Sequence, residues 1–82
     1  MCDIKIVKSL EQSYNSINDT IIENGYKIPI GFGIMWVGGF KQAEKTLEII
    51  IENTTDTELE KYASDIYIEI QKLRYYIEDK LY

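Results

Sequence analysis

Apolar side chains in the first part of the chain recur at the spacing of a helix. Over residues 3–24 they fall every three or four positions, which places them along one helical face. The members of this stripe are Ile6 or Val7, Leu10, Tyr14, Ile17 and Ile21. Asn24 and Gly25 are predicted to end the helix, because glycine readily adopts the left-handed conformation that closes a last turn. In an alternative, Ser9 and Gln12 form a capping box and residues 4–7 are a short extended arm.

The last part of the chain, residues 57–81, carries the most regular pattern. Its apolar positions are separated by alternating steps of four and three, which is typical of a helix packed lengthwise against others. They are Leu59, Ala63, Ile66, Ile70, Leu73, Ile77 and Leu81. A second apolar row is formed by Ile68, Tyr75 and Tyr82, and is widened by Tyr62, Tyr67 and Tyr76. This wide surface is either a broad edge of the core or a contact with another subunit or protein, because aromatic residues are enriched at interfaces.

The least polar stretch, residues 26–40, fits both a strand and a helix. In a strand, the large side chains at alternate positions from Tyr26 to Trp36 would share one face. In a helix, Pro29 would occupy the favoured first position and one apolar stripe would continue into the next segment. That stripe contains Phe32, Trp36, Phe40, Ala43, Leu47 and Ile50 or Ile51. The glycines at 31, 33, 38 and 39 oppose the helix, because each costs about 1 kcal/mol relative to alanine.

These patterns predict a mainly α fold, a three-helix antiparallel bundle of segments 3–24, 29–53 and 57–81 in a single domain, residues 1–82. The third helix is predicted to begin with a capping box, formed by Thr55 with Glu58 or by Thr57 with Glu60. The alternative is an α+β fold, in which residues 26–37 and 45–52 form a β-hairpin between two helices. A domain of 82 residues buries only about 60 to 65% of its unfolded surface. We therefore expect the bundle to be oligomeric.

Charge and composition exclude several functions. Nine basic against fourteen acidic side chains give a net charge of −5, which argues against direct binding of nucleic acid, because such binding depends on neutralising phosphates. The longest uncharged run is too short to span a membrane. Cys2 is the single cysteine, and charges at Asp3, Lys5 and Lys8 interrupt any secretory signal, so we expect a cytoplasmic protein. Abundant Ile, Lys, Glu, Asn and Tyr suggest a low-GC bacterium, an archaeon or one of their viruses, and a viral or mobile-element protein would act in the host cytoplasm.

Residues that usually carry catalysis are missing from the sequence. The chain has no histidine, which removes the usual base of a nucleophilic triad and the commonest zinc ligand. Cys2 therefore lacks an activating partner. Glu44, Glu48 and Glu52 have a spacing compatible with a carboxylate metal site, but without a matching cluster elsewhere they are predicted to form a solvated acidic row. We expect no enzymatic activity, no cofactor and no metal.

The function predicted from these features is that of a small non-enzymatic binding module, an inhibitor or adaptor that self-associates and contacts another protein. The predicted contact residues are Tyr26, Lys27, Phe32, Trp36, Lys41, Tyr67 and Tyr75. Residues 54–82 carry seven acidic against four basic side chains. The expected partner surface is therefore basic or apolar.

The alternative function is that of an oligomeric sponge, which sequesters a small anionic, nucleotide-like ligand at the glycine-rich stretch 26–41. Backbone amides near the glycines and the ammonium groups of Lys27 and Lys41 would hold the anion. The ring of Trp36 or Tyr26 would stack on the ligand. We expect a protein partner in preference to such a ligand, because glycines also allow two backbones to pack closely.

Overall fold

Three helices account for most of the chain. The structure, a computed structural model, describes residues 3–81 and contains α1 (Asp3–Glu23), α2 (Ile30–Asn53) and α3 (Thr57–Leu81). No strand occurs within residues 3–81. The prediction of a mainly helical, three-helix fold is confirmed. The α+β alternative is wrong, because α2 runs unbroken through both segments of the predicted hairpin. Cys2 and Tyr82 lie outside the described residues.

The closest pair of helices is formed by α2 and α3, which run in opposite directions. Leu81, at the end of α3, lies against Gly33 near the start of α2, and further along Arg74 binds Glu44. The buried apolar side chains are Val37, Phe40, Ala43, Leu47 and Ile50 on α2, and Ala63, Ile66, Ile70, Leu73 and Ile77 on α3. The four-and-three seam predicted for the last helix is therefore its core face.

The first helix is covered less completely than the other two. Val7 and Ile21 are the buried residues of α1, whereas Leu10, Tyr14 and Ile17 are only partly buried although they belong to the same apolar stripe. The stripe is therefore oriented as predicted, with Val7 rather than Ile6 on the inside. Part of its apolar surface is left in contact with solvent.

Hydrogen bonds from tyrosines fix α1 against α3. The Tyr62 hydroxyl donates to the carboxylate of Glu11. The Tyr14 hydroxyl donates to the carboxylate of Glu69, with an oxygen–oxygen distance of 3.2 Å. The hydrogen bond to Glu11, followed by desolvation, raises the pKa of Tyr62 to about 12. Partial burial and then the bond to Glu69 raise the pKa of Tyr14 above its usual value.

The end of α1 is a Schellman motif. Gly25 has the predicted left-handed conformation, with φ +67°, and its N–H donates to the Ile22 carbonyl at 3.1 Å. The next residue, Tyr26, is also left-handed, with φ 65°, and its N–H donates to the Ile21 carbonyl at 2.8 Å. At the other end α1 begins at Asp3, so the alternative with an extended arm over residues 4–7 is wrong.

The starts of α2 and α3 are defined by Pro29 and Asp56. Pro29 was predicted to be the first residue of α2, but it is the N-cap, because the helix begins at Ile30. The Pro29 carbonyl accepts a hydrogen bond from the N–H of Gly33. The Asp56 carboxylate accepts from the N–H groups of Glu58 and Leu59, at 3.0 and 3.2 Å. Asp56 is therefore the N-cap of α3 in place of the predicted threonine capping boxes, because its carboxylate accepts from the amides of the second and third helical residues, Glu58 and Leu59.

A membrane-spanning role finds no support in the helices. Within the described residues 3–81, none of α1, α2 and α3 combines the length and the apolar character that crossing a bilayer requires.

Candidate binding surfaces around the second helix

The first two turns of α2 expose large apolar side chains. The exposed fractions are 72% for Ile30, 56% for Phe32, 58% for Ile34 and 67% for Met35. These turns lie at one end of the bundle. There α3 and the preceding loop cover only one narrow side of α2, and the rest of the helix surface is exposed. Contiguous exposed apolar surface of this kind is typical of an interaction site.

The inward line of these turns consists of Gly33 and Val37, which are both buried. A Cβ atom at Gly33 would lie 2.8 Å from Ile28 Cγ2 and 3.0 Å from Leu81 Cδ2. Glycine is thus required here for the close approach of Leu81. Phe32, the first member of the predicted helical stripe, is exposed, because Gly33 and Val37 take the inward positions in these turns.

A cleft of about 460 Å³ lies where the end of α1 meets the start of α2. It is lined by Thr20, Glu23, Asn24, Lys27, Pro29, Phe32 and Trp36. The Asn24 amide donates to the Lys27 carbonyl at 3.0 Å, which fixes the loop that carries Lys27. The rings of Phe32 and Trp36 stack with centroids 5.9 Å apart and planes 20° apart. The cleft therefore offers aromatic surface beside one ammonium group and one carboxylate.

A second hollow, of about 240 Å³, separates α1 from the middle of α2. Leu10 and Ile17 line it from α1, Gly39 and Ala43 from α2, and Ile70 of α3 reaches it between them. Trp36 lines both this hollow and the cleft, so the two adjoin one another at its side chain. We call the cleft and the hollow together the α1–α2 groove. Its apolar walls explain why the stripe of α1 stays only partly buried.

The structure brings some of the predicted contact residues together and separates others. Lys27, Phe32 and Trp36 meet in the cleft, but Tyr26 and Lys41 are not among the residues that line it. Tyr26 is exposed in the loop before α2, and its carbonyl accepts a hydrogen bond from Tyr76. The ammonium group of Lys41 lies 4.0 Å from the Glu78 carboxylate.

The two predicted contact residues on α3 have polar neighbours of their own. The Tyr67 hydroxyl donates to the Glu48 carboxylate at 2.9 Å, and this hydrogen bond is the main cause that raises the pKa of Tyr67. The Tyr75 ring lies 4.8 Å from the guanidinium carbon of Arg74. Neither tyrosine lines the groove.

One buried ion pair replaces part of the predicted acidic row. Glu44 is only 6% exposed, so its assignment to a solvated row is wrong. The Arg74 guanidinium donates to both oxygens of Glu44 and also to Glu78. The hydrogen bond to Glu44 raises the pKa of Arg74 above its usual value, against the opposing effect of desolvation. Glu44 therefore has a structural role between α2 and α3.

Several groove residues were missed by the sequence analysis. Thr20 and Asn24 belong to the polar end of α1, and their proximity to the glycine-rich segment depends on the tight turn at Gly25. Gly39 was predicted to lower helix stability and to lie in the glycine-rich stretch of the alternative anion site, and in the structure it lines the hollow between α1 and α2. Within residues 3–81, no group of three acidic, cysteine or histidine side chains is placed to hold a metal ion.

Comparison of the chain with profiles of known protein families, with characterised proteins and with solved structures gave no match.

Proposed function

We propose that this protein is a non-enzymatic binding module, an inhibitor or adaptor, which holds an apolar segment of another protein in the α1–α2 groove and also self-associates. The observation that supports it is the partial exposure of Leu10 and Ile17 across from Trp36 and Gly39, with Ile70 between them. A fourth helix placed there would cover apolar surface of α1 and α2, as in a four-helix bundle, above Ile70 of α3, which is 0% exposed.

The shape of the groove favours a helical segment as the occupant. Between Leu10 and Asn24 the groove follows α1 for about 20 Å, at 1.5 Å per residue. This length matches roughly four turns of an amphipathic helix, a common form of peptide recognition in grooves. Ser13 and Thr20 give the α1 wall a neutral polar edge. The apolar face of the bound helix therefore provides most of the binding energy.

The charge of the protein favours a partner with basic residues beside its apolar face. The net charge of −5 gives an attraction that operates over several ångströms and is screened by salt. We expect added salt to slow association while leaving much of the affinity, since the groove contacts are apolar. Affinity that falls away entirely with salt would place the contact on the acidic part of α3 instead.

The test uses two neighbouring glycines. Gly39→Gln fills the groove, whereas Gly38→Gln places the same side chain on the outer side of α2, and a Cβ at either position meets nothing within 4 Å among residues 3–81. Protein captured from a cell lysate is purified and titrated against each variant. We expect Gly39→Gln to weaken binding at least tenfold, on the order of 1.4 kcal/mol, and Gly38→Gln to retain the affinity. Equal affinity for both variants would refute the groove as the site.

A second candidate function is the sequestering of a small anionic ligand in the cleft. The specific observation that favours it is the stacked pair Phe32–Trp36 beside Lys27 in a cleft of about 460 Å³. Glu23 also lines this cleft and repels an anion, which is why a protein partner remains the first proposal. A ligand would have to stack on the two rings and place its negative charge next to Lys27.

A panel of mononucleotides and cyclic nucleotides tests this second function. Trp36 is the only tryptophan, so its emission reports the cleft directly. A ligand at 100 times its dissociation constant also stabilises the fold by roughly 2.7 kcal/mol, which raises the melting temperature. A true ligand should lose both effects in Lys27→Ala and keep them in Lys80→Ala, since Lys80 lies over the Tyr76 ring instead. If no nucleotide in the panel changes the Trp36 emission or raises the melting temperature, the ligand-sequestering function is refuted.

A further inference from the structure

The outer face of α2 carries a regular row of exposed positions. The row begins with Gly31, Met35 and Gly38, passes through Gln42, and ends with Lys45, Ile49 and Glu52. Its steps alternate between four and three residues, which is the spacing of a seam along which one helix packs lengthwise on another. We call this row the outer seam. Met35 and Ile49 are 67% and 61% exposed, so both large apolar side chains of the seam are mostly uncovered within residues 3–81, and Met35 also lines the hollow between α1 and α2.

The outer seam is complementary in shape to the same seam on a second, antiparallel copy of α2. When a second copy of α2 is turned antiparallel about Gln42, Met35 faces Ile49 and Gly38 faces Lys45. Gly31 then faces Glu52 in the same way. Each glycine thus lies opposite a long side chain, and the two large apolar side chains lie opposite each other. Such a contact is isologous, because residue i of one copy meets residue j of the other and the reverse also holds.

The charges at the ends of α2 favour the same antiparallel arrangement. The first turn of α2 has no acidic residue, and Pro29 provides no side-chain cap within the described structure. The last turn has no basic residue and contains Glu52 close to the negative end of the helix dipole. An antiparallel copy places each Glu52 beside the positive end of its neighbour. A parallel copy would instead bring Lys45 against Lys45 and Glu52 against Glu52.

The glycines in the seam are explained by this contact. Gly31 and Gly38 reduce helix stability, by about 1 kcal/mol in a helix interior. A Cβ at either position would meet nothing within 4 Å among residues 3–81, in contrast to Gly33. Packing within one copy therefore gives no reason for them. Opposite a second copy, they leave room for the methylene stems of Lys45 and Glu52.

We propose that a second copy of this chain packs antiparallel on the outer seam of α2, with a two-fold axis near Gln42. The inference deepens the proposed function, because it rests on the proposed self-association and assigns it a surface. Gly39 and Trp36 line the groove and lie outside the seam, whereas Met35 belongs to both, so the second copy reaches the edge of the groove at Met35 and leaves Gly39 and Trp36 uncovered. A single helix pair about 30 Å long buries less than the roughly 800 Å² per partner of a standard interface, so we expect a weak dimer, with a dissociation constant on the order of micromolar.

Cysteine cross-linking tests the arrangement directly. In a Cys2→Ser background, Gln42→Cys should form a disulfide-linked dimer under mild oxidation, because Gln42 meets its own copy at the two-fold axis. Met35→Cys and Ile49→Cys should each remain uncross-linked alone and form a mixed dimer when combined. Self-linked Met35→Cys dimers without mixed ones would indicate a parallel pair and overturn the proposal. Cross-linking of Gln42→Cys no faster than that of Lys72→Cys, an exposed position on α3, would overturn it as well.

Sedimentation equilibrium of the unmodified protein and of two matched variants provides the second test. Gly38→Gln should raise the dimer dissociation constant at least tenfold, whereas Gly39→Gln should leave it unchanged. Glu52→Lys should also weaken the dimer, while it raises the melting temperature of the monomer because a cation suits the end of a helix. A monomeric wild-type protein at about 100 µM, well above the expected range, would overturn the proposal. Loss of partner binding in Gly39→Gln with an intact dimer separates the groove from the seam.

Discussion

Arg74 of α3 donates hydrogen bonds to both carboxylate oxygens of Glu44 on α2, and the exposed fractions of the two side chains are only 12% and 8%. Two charges removed from water in this way stabilise the fold only as a pair, because either one alone would be buried without compensation. The pair lies between the apolar layers of α2 and α3. It therefore fixes how far one helix is shifted along the other.

Replacement of Arg74 tests this role. Arg74→Leu leaves the Glu44 carboxylate buried beside Glu78, and we expect it to lower the free energy of unfolding by about 3 to 5 kcal/mol. Adding Glu44→Leu should restore most of that loss, because the second charge is then gone. Arg74→Lys should remain destabilised, since an ammonium group cannot reproduce the two-pronged contact. Urea unfolding gives the free energy of unfolding of the Arg74→Leu, Arg74→Leu/Glu44→Leu and Arg74→Lys variants. An Arg74→Leu variant as stable as the wild-type protein would refute the structural role of the ion pair.

Two glycines of α2 should respond oppositely to alanine. Gly39→Ala should raise the free energy of unfolding by roughly 0.5 to 1 kcal/mol, because its Cβ meets open space and alanine favours the helix. Gly33→Ala should lower it by about 1 kcal/mol or more, because the Cβ would clash with the branched methyl of Ile28 and with Leu81. Urea unfolding of the two variants at low protein concentration provides the comparison. Equal shifts of the same sign would contradict the packing at Gly33.

The N-cap of α3 gives a smaller effect. Asp56→Ala removes the acceptor of two backbone amides, those of Glu58 and Leu59, and should cost about 1 kcal/mol of unfolding free energy. Thr55→Ala is the matched control, since the neighbouring exposed side chain is expected to change stability by no more than a few tenths of a kcal/mol. Thermal unfolding resolves this difference. A larger effect at Thr55 would support the threonine capping box instead.

The hydrogen bond from Tyr62 to Glu11 predicts a dependence on alkaline pH. The pKa of Tyr62 is raised from 10.0 to about 12 in the folded protein, so the unfolded chain releases this proton first. The stability contributed by the bond is therefore complete below pH 10 and is lost as the pH rises towards 12. The pKa values of Tyr14 and Tyr67 are also raised, so ultraviolet absorbance should show several late-titrating tyrosines, and the step near pH 12 should be lost in Tyr62→Phe. Persistence of that step in the variant would contradict the assignment.

The sequence was sufficient to predict the core face of α3. Its apolar positions are spaced by four and three over six turns, and no other secondary structure accounts for that spacing. Residues 26–37 were ambiguous, because the same large side chains satisfy a strand and a helix. The choice depends on contacts between distant parts of the chain, above all Leu81 against Gly33 and Arg74 with Glu44. Local propensity does not contain that information.

The groove was only partly predictable. Phe32 and Trp36 stood out as aromatic residues in an uncharged run, but the turn at Gly25 determines that they face the end of α1. The burial of Glu44 did leave a signal in the sequence. Its position continues the inward line from Phe40 to Leu47 in steps of four and three, so a charge there required a buried partner.

Binding of a protein partner in the α1–α2 groove is tested most directly by chemical-shift mapping of backbone amides on addition of the captured partner. We expect the perturbed amides to cluster along the groove, at Leu10, Ile17, Gly39 and Ala43, and the indole N–H of Trp36 to shift with them. The amides around Tyr67 and Tyr75 on α3 should stay in place. Perturbations centred on those two tyrosines, with the groove unchanged, would contradict binding in the groove.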